Sequence, residues 1–195
     1  EMIRDHEENG TSYRNVRTVN LDEYAGLDET SDQSYVYFMR KNLFDSLDID
    51  RKNTNIENGK AADREKECER YNALLHEMQQ SVQVLGIGSN GHIAFNEPGT
   101  PFGSETHIVD LTESTIRDNS RLFSRIEDVP RQAFTMGLKN IMNAKKIVIL
   151  ANGKNKAKAV YGLVKGPVTE QLPASVLQLH PDCTVVVDEE AASLL

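Results

Sequence analysis

Residues 85–99 read Leu-Gly-Ile-Gly-Ser-Asn-Gly-His-Ile-Ala-Phe-Asn-Glu-Pro-Gly, an acid–base pair set on a glycine-rich turn behind an apolar run. His92 has an unperturbed pKa near neutrality, and Glu97 follows within one tight loop, where it can fold back toward the imidazole. Gly86, Gly88 and Gly91 permit backbone turns and a close ligand approach that side chains would block, and Ala94 sits in the same substrate-proximal stretch. Upstream, Val19-Asn20-Leu21-Asp22-Glu23-Tyr24 places an aspartate where a short β-branched run ends. Arg121 and Lys156 are the cations that an anionic substrate would need; Lys156 follows Asn152-Gly153 near a helix start, and a guanidinium fork suits phosphate. Each residue also has a plainer reading: Asp22 with Glu23 as turn caps, His92 as a structural histidine, Arg121 and Lys156 as solvated charges. The concentration of glycines, histidine and carboxylate in one loop favours chemistry.

Elements must hold these groups. Strands are expected at Val16–Asn20, Val82–Ile87, His107–Leu111, Phe134–Met136, Ile147–Leu150 and Thr184–Val187. Helical spacing of apolar residues marks Ser34–Leu47 and Ala61–Met78, and further helices are read at Glu113–Asn119 and Asn155–Leu163. Ala174–His180 is read as strand or short helix, since periodicity does not separate the two. Alternating strands and helices imply an α/β fold, an open, mostly parallel sheet with helices on both faces, modified Rossmann-like. In such sheets ligands bind beyond the carboxyl ends of the strands. The 195 residues suit a single domain over 1–195, with no repeat and no low-complexity tract.

Gly86-x-Gly88-x-Asn90-Gly91-His92-Ile93-Ala94-Phe95-Asn96-Glu97-Pro98, with Val19 to Leu27 upstream, resembles the glucosamine-6-phosphate deaminases of the glucosamine/galactosamine-6-phosphate isomerase family. The likeness continues through Asn119 to Phe123, Ala133 to Gly137, Gly153 to Ala157 and Leu177 to Pro181, and so runs along nearly the whole chain. It implies conversion of glucosamine 6-phosphate and water to fructose 6-phosphate and ammonia, without a cofactor. The catalytic residues it implies are Asp22, Asn90, His92 and Glu97: Asp22 moves a proton between C2 and C1, His92 opens the pyranose ring, and Glu97 orients and charges His92. Arg121 and Lys156 align with the phosphate ligands. Many members carry aspartate at the position of Asn90. Asparagine can hold the imidazole by a hydrogen bond but brings no charge, which leaves more of the work to Glu97. His107 stands where allosterically regulated members have an arginine, which argues against activation by N-acetylglucosamine 6-phosphate. The family also opens with a strand and a glycine-rich phosphate loop, and this chain begins inside the domain by comparison, N-terminally incomplete. Two rivals remain: a 6-phosphogluconolactonase-like hydrolase, which has no use for Asp22, and a sugar-phosphate sensor, which would be expected to lose Asp22 or His92.

Charge and composition exclude other classes. A formal charge of −8 and a pI near 5.2 argue against a nucleic-acid or anionic-membrane surface. Cys68 and Cys183 are too few for a disulfide scaffold, no metal constellation is visible, and no apolar stretch is long enough to span a bilayer. A cytoplasmic protein acting on a small sugar phosphate is expected, compatible with a homo-oligomer. The remaining histidines, His6, His76, His107 and His180, are expected on surfaces or in packing roles.

Overall fold

The apolar runs and helical periodicities resolve, in a computed structural model, into eight strands and six α-helices joined by short 3-10 turns. In chain order the first are α1 (Met2–Asn9), β1 (Thr18–Val19), β2 (Asp22–Tyr24), α2 (Tyr35–Asn42), β3 (Thr54–Asn55), α3 (Arg64–Glu77) and β4 (Gln83–Gly86). They are followed by β5 (His107–Asp110), α4 (Glu113–Asn119), β6 (Gln132–Thr135), α5 (Leu138–Met142), β7 (Ile147–Ala151), α6 (Ala157–Lys165) and β8 (Cys183–Val187). The structure describes the backbone of residues 1–195 and every side chain except those of Ser114, Asp118, Asn119 and Leu122. Two members of the 119–123 segment therefore lie outside the described side chains. The chain divides into two units, Glu1–Glu67 with Asp110–Phe134, and Cys68–Val109 with Thr135–Leu195.

In the first unit β1 pairs in parallel with β3, Thr18 opposite Thr54 and Val19 opposite Asn55. The expected strand at 16–20 is shorter because the Val16 N–H turns back to the Tyr13 carbonyl, 2.9 Å away. The acidic pair expected to form a turn instead opens β2, whose end is tied to β6 by the Ala25 N–H donating to the Gln132 carbonyl at 3.0 Å. Helix α2 starts where Ser34 Oγ accepts from Tyr37 N–H, an N-cap hydrogen bond. It ends earlier than expected, passing into a 3-10 turn at Phe44–Ser46 that buries Phe44. Tyr24, Ile116, Val129, Ala133 and Phe134 are buried with it.

The second unit is organised by the parallel sheet β4-β7-β8. Val84 stands opposite Val148, which stands opposite Thr184; Gly86, Leu150 and Val186 align in the same way. Leu85, Ile147 and Ile149 are buried on one face, and Ala157, Val160 and Leu163 of α6 are also buried, at helical spacing. The undecided segment forms a 3-10 helix, Pro173–Leu179, whose first five residues are all buried. That uninterrupted burial is why no periodicity showed in its sequence. Among the described residues, no helix is long and apolar enough to cross a membrane.

Candidate active site

The loop after β4 is built from its glycines upward. Gly88 N–H donates to the His92 carbonyl at 2.9 Å and Gly91 N–H to the Gly88 carbonyl at 3.0 Å, closing a tight turn. A Cβ on Gly88 would lie 2.4 Å from two atoms of the His92 ring, so the imidazole packs where only glycine leaves room. Gly91 has φ +86° and faces the Leu172 side chain at 2.6 Å from its would-be Cβ, two separate reasons for glycine. At Gly86 a Cβ would meet nothing within 4 Å, so open space rather than packing surrounds it. Ala94 takes a left-handed φ of 52°, uncommon for a residue with a Cβ. Two neighbours hold it there: Phe95 N–H donates to Thr135 Oγ1 at 3.1 Å, and Asn96 Nδ2 donates to the carbonyls of Ile93 and Met136 at 3.0 and 2.9 Å.

This turn brings Asn90, His92 and Glu97 together. Glu97 Oε2 lies 3.5 Å from His92 Nδ1, an ion-pair distance that a small side-chain rotation would convert to a hydrogen bond. Asn90 does not hold the imidazole as expected: its Nδ2 donates to Glu97 Oε2 at 2.7 Å, and its Oδ1 accepts from the His92 main-chain N–H at 3.2 Å. The amide therefore aims the carboxylate and pins the backbone beneath the ring. Glu97 is buried and its charge is satisfied in part by a neutral donor, which keeps it available to an imidazolium.

The first unit holds Asp22. The two adjacent acids have different fates, because alternate strand residues face opposite ways. Glu23 is buried and accepts from the N–H groups of Tyr24, Tyr35 and Val36 at 2.8, 3.0 and 3.0 Å. It thus realises the capping reading, tying β2 to the start of α2. Among the described residues Asp22 receives no such donors. Burial, and then the nearby Glu23 charge, push its pKa up to about 7, close to the value that suits a general base at neutral pH. Tyr24 stacks on Tyr35 with ring centroids 5.5 Å apart and meets Phe123 edge-on at 5.8 Å, fixing the strand that carries Asp22. Glu57 in this unit is fully buried, and among the described residues neither of its oxygens is hydrogen-bonded. Burial, joined by the charges of Asp22, Glu23 and Glu67, raises its pKa well above the carboxylate range.

The two candidate phosphate cations fall in different units. Arg121 lies exposed in the 3-10 turn Ser120–Leu122 of the first unit. Lys156 lies in the second, as the last residue of the 3-10 turn Lys154–Lys156 and the N-cap of α6. Neither has a carboxylate partner among the described residues. The backbone N–H groups expected to receive an anion near Lys156 are partly taken: Asp188 accepts from Gly153 N–H at 2.9 and 3.1 Å, and Glu190 from Lys154 N–H at 3.3 Å. Of the other histidines, His180 is buried, its Nε2 2.8 Å from the Ala144 carbonyl and its Nδ1 3.1 Å from Asp182 N–H, a packing role as expected. Among the described residues no group of three His, Cys, Asp or Glu side chains is placed to hold a metal ion. Sequence reasoning missed Thr135 and Asn96 as supports of the loop; their only signal was membership of the quoted segments.

A loop of this construction on a parallel sheet is shared by a known class. The sequence pattern of the glucosamine-6-phosphate isomerases/6-phosphogluconolactonase family matches residues 1–186. The chain belongs to that family. The glucosamine-6-phosphate deaminase of Streptococcus pneumoniae (strain 70585) is 52% identical over 195 residues, covering 100% of this chain and 82% of that protein. That of Lactobacillus johnsonii is 56% identical over 183 residues, 94% of this chain and 76% of its own length. A solved structure described as a monomeric glucosamine-6-phosphate deaminase superposes with a TM-score of 0.97 at 47% identity, covering all of this chain and 81% of that one. The 6-phosphogluconolactonase of Trypanosoma brucei superposes at 0.76 with 20% identity, a likeness of fold alone.

Proposed function

We infer that the chain is a glucosamine-6-phosphate deaminase, converting glucosamine 6-phosphate and water to fructose 6-phosphate and ammonia. The observation that carries this reading is the pairing of His92 with a Glu97 that Asn90 aims, in a chain 52% identical over its whole length to a deaminase. In this reading neutral His92 takes the anomeric hydroxyl proton, Glu97 stabilises the imidazolium so formed, and the imidazolium gives a proton to the ring oxygen, opening the ring. Asp22 then removes the C2 proton and returns it at C1, passing through an enolamine to an imine at C2. Water adds to that imine and ammonia leaves. Arg121 and Lys156 neutralise the phosphate, and the open space at Gly86 admits the sugar close to the backbone. The reading places the protein in the cytoplasm, which the absence of a disulfide between Cys68 and Cys183 among the described residues supports.

The lactonase alternative has no need of a base with a pKa near neutrality, since lactone hydrolysis moves no C2 proton. Ammonia release from glucosamine 6-phosphate and hydrolysis of 6-phosphogluconolactone, measured side by side on the same preparation, decide between them. Turnover of the lactone without ammonia release would overturn the deaminase reading. Binding of the sugar phosphate with neither turnover would favour a sensor.

A further inference from the structure

We propose that Asp188 is a positioning residue for phosphate binding: it grips the turn that presents Lys156. The inference rests on the reading of Lys156 as a phosphate ligand. β7 ends at Ala151, and the chain must then reverse into α6 through Gly153, whose φ of 84° belongs to neither element. In that conformation the Gly153 N–H leaves the strand ladder without joining the helix and needs an acceptor elsewhere. Asp188 supplies it. Strand β8 runs parallel to β7 with Val187 opposite Ala151, so the next residue is delivered directly beside the turn. Both Asp188 oxygens lie within 3.1 Å of Gly153 N, and Oδ1 also accepts from Ala191 N–H at 2.8 Å, which holds the carboxylate itself in place. Its own N–H returns to the Ala151 carbonyl at 3.4 Å.

The grip passes to Lys156 through one bond, since Lys156 N–H donates to the Gly153 carbonyl at 3.0 Å. With the Gly153 and Lys154 amides occupied by Asp188 and Glu190, those two N–H groups are not open to phosphate, and the turn's contribution in this reading comes through the Lys156 ammonium. An ammonium is a point charge on a flexible stem, so its usefulness depends on where its backbone is held. Asp188 is exposed, so its own negative charge is screened by water and opposes phosphate only weakly. Its contribution is geometric.

The test is steady-state kinetics on the active protein. Asp188→Ala is expected to raise KM for glucosamine 6-phosphate and the inhibition constant of inorganic phosphate together, by about fivefold to tenfold, with kcat within about twofold. Asp188→Asn keeps one acceptor oxygen and is expected to restore KM to within about twofold of the parent, a rescue that a simple charge effect would not give. Lys156→Ala, run in parallel, tests the reading beneath. If Lys156→Ala raises KM and Asp188→Ala does not, the positioning role is overturned while the phosphate reading stands. If Lys156→Ala leaves KM unchanged, the phosphate reading fails and the positioning role fails with it. Should Asp188→Ala lose its cooperative melt, Asp188→Ser is read in its place, and a loss confined to kcat in that variant would also overturn the proposal.

Discussion

Asp22 and Glu23 differ by one position in a strand, and that difference separates structure from chemistry. Glu23 accepts from three backbone N–H groups, whereas among the described residues no N–H donates to the Asp22 carboxylate at the start of β2. Asp22→Asn is expected to lower ammonia release at least about a hundredfold while KM stays within a few fold, the scale of a lost general base. Near-parental release would remove the assignment. In the proposed role the same residue sets a pH dependence: burial and Glu23 raise its pKa from 3.8 to about 7, and a carboxylate acts as a base only when ionised. The rate is therefore expected to rise with pH and level off above about 7. For stability the sign is opposite. Between pH 3.8 and 7 the folded state holds a proton that the unfolded chain has released, so rising pH costs folding free energy at this site. Asp22→Asn should thus melt higher than the parent at pH 8 by a margin that shrinks toward pH 4. An equal margin at both would contradict the placement of Asp22. His92→Gln should impair the cyclic substrate more than an acyclic analogue, and equal losses on the two would remove ring opening from His92.

At the scale of the element, the loop after β4 works because its backbone conformation and its side-chain contacts are one arrangement. Gly88 leaves the space the imidazole fills, Gly91 takes a left-handed φ, and Asn96 and Thr135 hold Ala94 in its uncommon conformation. Gly88→Ala puts a methyl against the His92 ring and should cost about tenfold to a hundredfold in kcat, since displacing a reacting group by about an ångström has that effect. A melting temperature close to the parent's, with kcat reduced, is the expected pair of results. A variant with full kcat would show that the ring has other places to sit.

At the scale of the whole molecule, a chain of net charge −8 repels an anionic substrate, and in the proposed function Arg121 and Lys156, which lack carboxylate partners among the described residues, offset that charge. The same scale shows an apolar surface: Val84, Leu150 and Val186 on the sheet β4-β7-β8 are each about half exposed. Contiguous apolar faces of this kind drive association. A polypeptide of residues 1–195 should show concentration-dependent association in sedimentation velocity, and Leu150→Lys with Val186→Lys should weaken it. A concentration-independent monomer without those changes would count against the open face.

Much of this was legible in the chain itself. The run at 82–87, the β-branched run at 147–150 and the stripe of α6 carry their periodicity locally, because burial on one side of a strand or helix dictates residue type at fixed spacing. The His92–Glu97 pairing was likewise visible, since a short glycine-rich loop leaves few ways to arrange the two groups. Where partners come from far along the chain, only the tertiary structure decided. Asn90 turned to Glu97 instead of the imidazole, Glu23 became a helix cap while Asp22 did not, and Pro173–Leu179 chose a 3-10 helix under continuous burial. Asp188 gave no sign in sequence that its carboxylate would meet Gly153. Residue type and local spacing state which hydrogen bonds and charges need satisfying; which distant group satisfies them depends on strand order and register, and these follow from the packing of the whole chain.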